Sequence, residues 1–129
     1  MPDPIAGPEV ATDLVSQESI ETCLVELALE SWRFSKLFSR LLSKVDAGEG
    51  ARFVSQHRYF LKRLEENLER AGLRLVNVEG MDYDPGIAAS AINIGDFSPN
   101  DKLMIDQMVE PILMGRDGLV RAGTVMLRR

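Results

Sequence analysis

The first half of the chain carries apolar residues at the spacing of amphipathic helices. Between residues 20 and 45 they alternate at steps of four and three, the heptad repeat of a helix that packs along one seam. A second, patchier apolar stripe predicts that this helix contacts more than one neighbour. The helical signal begins near Ser16–Ser19 and stops at the glycine-containing segment Asp46–Gly50. The seam consists of Ile20, Leu24, Leu27, Phe34, Phe38, Leu41 and Val45, and it is broken only by the polar Ser31.

A second helix is predicted from about Ala51 to Ala71. Its apolar positions repeat the same step, and Gly72 suits the positive φ that commonly ends a helix. The link between the two helices is short and contains glycine, which favours an antiparallel hairpin. Because each helix has more apolar surface than one neighbour covers, we expect a homodimer. The expected dimer interface contains Leu27, Phe34, Phe38 and Leu61.

After Gly72 the pattern changes to short strands separated by turns. Strands are predicted within Leu73–Val78, Ile87–Ile94 and Leu103–Met114, and a last strand follows the Gly115–Gly118 turn, where Asp-Gly is a strong hairpin signal. The predicted fold is therefore α+β, with an N-terminal helical hairpin or coiled-coil dimerisation segment followed by a small antiparallel β-domain. The predicted divisions are a disordered tail over residues 1–15, the hairpin over 16–72 and the β-domain over 73–129.

Composition and charge mainly exclude classes of function. The chain has 129 residues, is 45% apolar and 27% charged, and has a net charge of −5, without a basic footprint for nucleic acid. The N-terminus has neither the basic region nor the apolar region of a secretory leader. No apolar run reaches the roughly 18 residues that a membrane span needs. A single cysteine, Cys23, fits a reducing compartment. We therefore expect a cytoplasmic protein with neither a nucleic-acid nor a membrane partner.

Residues that could carry out catalysis or bind a metal are few. His57, the single histidine, lies on the apolar seam of the second helix, where a core or interface position is the simpler interpretation. It is the only base that could activate Cys23, which is itself expected to be a small buried side chain. No second histidine or cysteine is present to complete a zinc tetrad, and the glycines lack the neighbours of a phosphate loop. The sequence thus predicts no enzyme, no metal and no cofactor.

Methionine is concentrated in the predicted β-domain. It fills irregular cores, and it also serves surfaces that repack against partners. The methionines therefore indicate either an ordinary core of the β-domain or a protein-binding face. They are Met81, Met104, Met108, Met114 and Met126.

Three segments of the chain resemble a known family. Leu61–Leu73 resembles the pattern “L…L…L…GV” with which a helix of that family ends. Val76–Pro85 is similar to the family motif “G-x-x-F-D-P”, with tyrosine in place of phenylalanine. Val120–Val125 is similar to the strand “R-P-A-x-V”. Between Phe53 and Val125 the chain thus resembles the GrpE family, the nucleotide exchange factors of DnaK-type chaperones. The family's “H-E-A-V” is here Ala88–Ala91 and its “Q-x-G-Y” falls near Glu110–Leu113, as in a divergent member with its own partner.

This resemblance implies a mechanism that needs no catalytic residue. Family members are elongated dimers whose β-domain holds open the nucleotide cleft of the chaperone, so that ADP leaves faster. It implies a cochaperone of protein folding and the stress response that acts on a DnaK-type, actin-fold ATPase. The alternative is a coiled-coil adaptor that binds its partner without affecting nucleotide. Tyr83, Asp84 and Arg121 match motif positions of the family, and arginine and methionine are enriched at interfaces. The expected partner-binding residues are therefore Arg121, Arg116, Tyr83, Asp84 and Met114.

Overall fold

The computed structural model describes residues 6–129, with side chains from Gln17 onward. Two helices come first, α1 (Ala6–Leu42) and α2 (Ala47–Arg70). A β-module follows, and its order after the helices confirms the predicted α+β fold. Its strands are β1 (Arg74–Val76), β2 (Ala89–Ala91), β3 (Met104–Glu110), β4 (Ile112–Gly115), β5 (Gly118–Arg121) and β6 (Gly123–Arg128), with a 3-10 turn over Ile94–Asp96.

Both helices begin earlier than the pattern predicted. The expected disordered tail over residues 1–15 includes residues 1–5, which lie outside the described residues, and the first turns of α1. α2 begins before Ala51 because the glycines that signal a stop lie inside its first turn. There the Gly50 N–H donates to the Asp46 carbonyl at 2.7 Å. The link between the helices is therefore shorter than expected.

The C-terminus of α2 is capped by glycine, as predicted for Gly72. Gly72 has a φ of +77°. The Gly72 N–H donates to the Glu69 carbonyl and the Leu73 N–H donates to the Leu68 carbonyl, both at 2.9 Å. These two bonds form a Schellman motif, which satisfies the last carbonyls of the helix and turns the chain directly into β1.

Gly72→Ala is expected to lower the free energy of unfolding by about 1–2 kcal/mol, because an L-residue is strained at this positive φ. A Cβ at this position would also overlap the Arg116 side chain, whose Cγ would lie only 2.8 Å away. Gly95→Ala is the matched control, since a Cβ there meets no atom within 4 Å. Urea denaturation of both variants measures the difference, and equal stability of the two would contradict the requirement for glycine at the cap.

The β-module contains two three-stranded sheets. One has the order β1-β4-β5 and is antiparallel, and the other has the order β2-β6-β3. β2 departs from the predicted antiparallel arrangement, because it runs parallel to β6, with Ala89 opposite Gly123. Three other strands separate β2 from β6 along the chain, so no tight turn fixes their relative direction.

The core of the β-module is formed by residues from the strands and their connections. Met108 is 2% exposed, and its sulfur accepts a hydrogen bond from the Val78 N–H at 3.3 Å. Met81 is 53% exposed, whereas the other three methionines of the module are half-buried, which favours the core interpretation of these residues. The buried cluster contains Val78, Ile105, Met108, Ile112, Val125 and Leu127.

Candidate functional site

One side of the helical hairpin leaves large apolar side chains open to solvent. Leu27 is 64% exposed and Phe34 is 63% exposed, at positions one heptad apart in α1. The rings of Phe34 and Phe38 stack with their centroids 6.4 Å apart. Large exposed apolar side chains grouped on one helix are typical of surfaces that contact another molecule. We name the exposed Leu27, Phe34, Leu41 and Phe60, together with the half-buried Phe38, the apolar face.

Leu61 lies apart from the other three predicted interface residues. It is half-buried in a cleft between the helices and the start of the β-module. Trp32 and Leu75 line the same cleft. The structure therefore brings together Leu27, Phe34 and Phe38 on one surface, but it does not place Leu61 with them.

His57 connects the two helices beneath the apolar face. Its Nε2 lies 2.7 Å from the Oγ of Ser35, which is only 4% exposed. The imidazole also packs against Phe38, with ring centroids 5.5 Å apart. Phe34, Phe38 and Phe60 line a cavity of about 190 Å³ around this pair. A hydrogen bond within an aromatic cavity agrees with the predicted core or interface position of the histidine.

Cys23 is exposed, so the prediction that it is buried is wrong. Its neighbour Leu24 is half-buried, but consecutive residues of a helix point about 100° apart, so Cys23 does not share that position. Cys23 lies twelve residues before Ser35, or about 18 Å along α1, so it cannot form a dyad with His57. Among the described residues, no group of three histidine, cysteine or acidic side chains could hold a metal ion.

The other side of α1 docks on the β-module through charged side chains. Lys36 Nζ lies 2.6 Å from Glu79 Oε1, and Arg33 Nη2 lies 2.8 Å from Glu110 Oε2. The hydrogen bond to Glu110 raises the pKa of the Arg33 guanidinium. Trp32, the residue before Arg33, packs against the core of the β-module. The second apolar stripe of α1 predicted a further neighbour of this kind. The ion pairs themselves were not predicted, because charged residues along a helix usually indicate a solvated face.

The predicted partner-binding residues of the first sheet lie in different environments. Arg121, at the end of β5, directs Nη2 to Glu26 Oε1 of α1 at 2.6 Å. Arg116 lies in the predicted β4–β5 hairpin turn, and its side chain covers Gly72. Met114 is half-buried against the core. Of these three residues, Arg121 and Arg116 are exposed.

Tyr83 and Asp84 lie near the opposite end of β3. The Tyr83 N–H donates to the Leu103 carbonyl at 2.9 Å, just before β3 begins. Arg121 instead lies close in sequence to Thr124, which pairs with the last residue of β3. Arg121, Arg116 and Met114 thus belong to the sheet of β1, β4 and β5, whereas Tyr83 is bonded next to the start of β3 in the other sheet. Asp84 Oδ1 accepts the Gly86 N–H at 2.9 Å, as expected of a turn.

A groove of about 400 Å³ adjoins Tyr83. Asp101 lies in its wall, and the Arg129 side chain extends over the Phe97 ring, 5.7 Å from its centroid. We name this concavity the aromatic groove. Its apolar lining consists of Tyr83, Pro85, Ile94, Phe97, Pro99 and Leu103.

Comparison of the chain with known protein families, curated proteins and solved structures gave no significant match. Among the residues that the structure describes, no helix has both the length and the apolar character needed to cross a membrane.

Proposed function

We propose that this protein is a GrpE-like cochaperone, a nucleotide exchange factor for a DnaK-type, actin-fold ATPase. Its β-module binds the nucleotide-binding domain of the ATPase and promotes release of ADP. The observation that supports this proposal is the two-part layout, in which a helical hairpin with an exposed apolar face precedes a β-module with its own core. Such a chain can pair through its helices and present a β-module to a partner.

The proposed activity is differential binding rather than bond-making chemistry. The β-module must bind the open nucleotide cleft more tightly than the closed cleft. A thousandfold faster release of ADP then corresponds to about 4 kcal/mol of the barrier. Because binding linkage is reciprocal, nucleotide must in turn weaken the complex between the two proteins.

Release of a fluorescent ADP analogue from the nucleotide-binding domain of a DnaK-type chaperone tests the proposal. We expect the full chain to accelerate release in a saturable manner, and ATP to dissociate the complex. A pulldown from the source cells with and without ATP would identify the cognate ATPase. Binding that is equally tight with ADP, with ATP and without nucleotide would favour the alternative of an adaptor.

Arg121→Ala is expected to weaken binding to the ATPase about tenfold, because an exposed arginine is a common interface anchor. Its guanidinium pairs with Glu26 yet keeps 45% of the side-chain surface exposed, so a partner can reach it. Glu26→Gln is the matched control, since it removes the same ion pair and keeps the arginine. Titration calorimetry should show weaker binding only for Arg121→Ala. An equal loss in both variants would assign the effect to the intramolecular pair.

A further inference from the structure

One side of α1 stays exposed from Ile20 to Leu41. Its residues are spaced alternately by three and four, the heptad repeat of a helix that packs along one seam against another helix. The row differs from the predicted seam at every second position, because Leu24 and Phe38 are half-buried. We name the following exposed residues the open seam: Ile20, Cys23, Leu27, Glu30, Phe34, Leu37 and Leu41.

The other sides of α1 contact the rest of the chain from Glu26 onward. Glu26 and Arg33 form ion pairs with side chains of the β-module. Ala28, Leu29 and Ser35 are buried, and the Ser35 hydroxyl is hydrogen-bonded to α2. The open seam is therefore the side of α1 that the chain itself does not cover.

The open seam has the size and the pattern of an interface between two copies of the chain. Five of its seven residues are large apolar side chains that are more than half exposed, and each leaves roughly 100 Å² uncovered. Two copies would therefore bury about 1,000 Å² of these side chains alone, which reaches the area that a specific interface needs. A heptad seam is covered by a second heptad seam, and another copy supplies one of the same length.

Charge favours antiparallel pairing of the two helices. In a parallel pair each seam residue faces its own equivalent, so two Glu30 carboxylates would meet in the middle of an apolar interface. In an antiparallel pair with full overlap, Glu30 instead faces Phe34 of the second copy. Beside the seam, Glu26 then lies next to Arg40 of the second copy, which carries the opposite charge.

We propose that two copies of this chain pair antiparallel along the open seam as a two-stranded coiled coil. The inference rests on the proposed function for the pairing of helices, and it adds the orientation and the register. Cys23 then faces Leu41 of the second copy, whereas the two Cys23 residues lie about 27 Å apart along the coil. Phe38 and Leu61, which were expected in the interface, lie outside the open seam.

Oxidative cross-linking of the full chain tests this arrangement, because Cys23 is its single cysteine. Leu41→Cys supplies a second thiol at the facing position, and copper phenanthroline joins thiols that lie within disulfide reach. On a non-reducing gel, we expect Leu41→Cys to form a linked dimer at least tenfold faster than the wild type. Cys23→Ser/Leu41→Cys should lose this link. Ser43→Cys, exposed but off the open seam, is the matched control and should link no faster than the wild type.

A spin label on Cys23 of the otherwise unchanged chain gives a second readout, which does not depend on the substitution of Leu41. We expect a distance of about 27 Å between the two labels of a dimer. A label distance well below this value, or a wild-type chain that links through Cys23 as fast as Leu41→Cys, would show parallel pairing and overturn the proposal.

The remaining outcomes also decide the question. Equal linking of Ser43→Cys and Leu41→Cys would show random collision, and a monomer mass in light scattering would exclude pairing of any kind. Either result overturns the proposal. The proposed exchange activity is judged separately, because a dimer with this geometry that leaves ADP release unchanged would contradict only that activity.

Discussion

Leu27→Glu/Phe34→Glu is expected to convert the proposed dimer, of twice the 14.4 kDa chain mass, into a monomer. Leu27 and Phe34 are each more than 60% exposed in the single chain, so the monomer has space for the new carboxylates. In a symmetric dimer, however, the double variant places four carboxylates in one apolar interface, and desolvation costs several kcal/mol for each ion. Light scattering at micromolar concentration distinguishes the two masses.

Thr22→Glu supplies the control for this experiment. It introduces the same side chain on α1, at an exposed position outside the heptad seam. We expect it to remain dimeric, with a helical circular dichroism spectrum like that of the double variant. A wild-type chain that is already monomeric at micromolar concentration would contradict the proposed dimer. So would a double variant that keeps the dimer mass.

The elements that the sequence predicted best are those fixed by local rules. The apolar period of three and four residues predicted two helices, and Gly72 and the Asp117-Gly118 turn marked the boundaries correctly. Both glycines have positive φ, a requirement that depends on the local backbone alone. The turn at Asp84 also depends on local contacts, because its carboxylate accepts a hydrogen bond from the backbone N–H two residues later.

The contacts that the sequence did not predict join residues that lie far apart along the chain. The parallel pairing of β2 with β6 joins segments separated by three strands. Glu26 and Arg121 form an ion pair across 95 residues, although each is an ordinary surface residue by composition. The aromatic groove likewise brings Tyr83 and Phe97 together from separate loops. Tyr83, on one wall of the groove, belongs to a motif that the sequence singled out. No spacing in the sequence indicated that Phe97 lines the same groove.

Ile105→Ala is expected to destabilise the protein by about 3 kcal/mol, the largest effect that we expect from a single substitution. Ile105 is fully buried in the core cluster, just before the first of the two register shifts of β3. Truncation there removes apolar contacts and leaves a cavity. The same module offers a chemically identical control, because Ile92 is 61% exposed. Ile92→Ala should change the free energy of unfolding by no more than about 0.5 kcal/mol.

Urea denaturation followed by circular dichroism and by Trp32 fluorescence measures both substitutions. Trp32 belongs to α1 but packs against the β-module core, so its signal reports on docking between the two halves. If the halves unfold together, Ile105→Ala shifts both transitions equally. If Ile105→Ala shifts the Trp32 transition but leaves the helical one unchanged, the ion pairs of α1 do not couple the β-module to the hairpin. Equal stability of the Ile105 and Ile92 variants would contradict the described core.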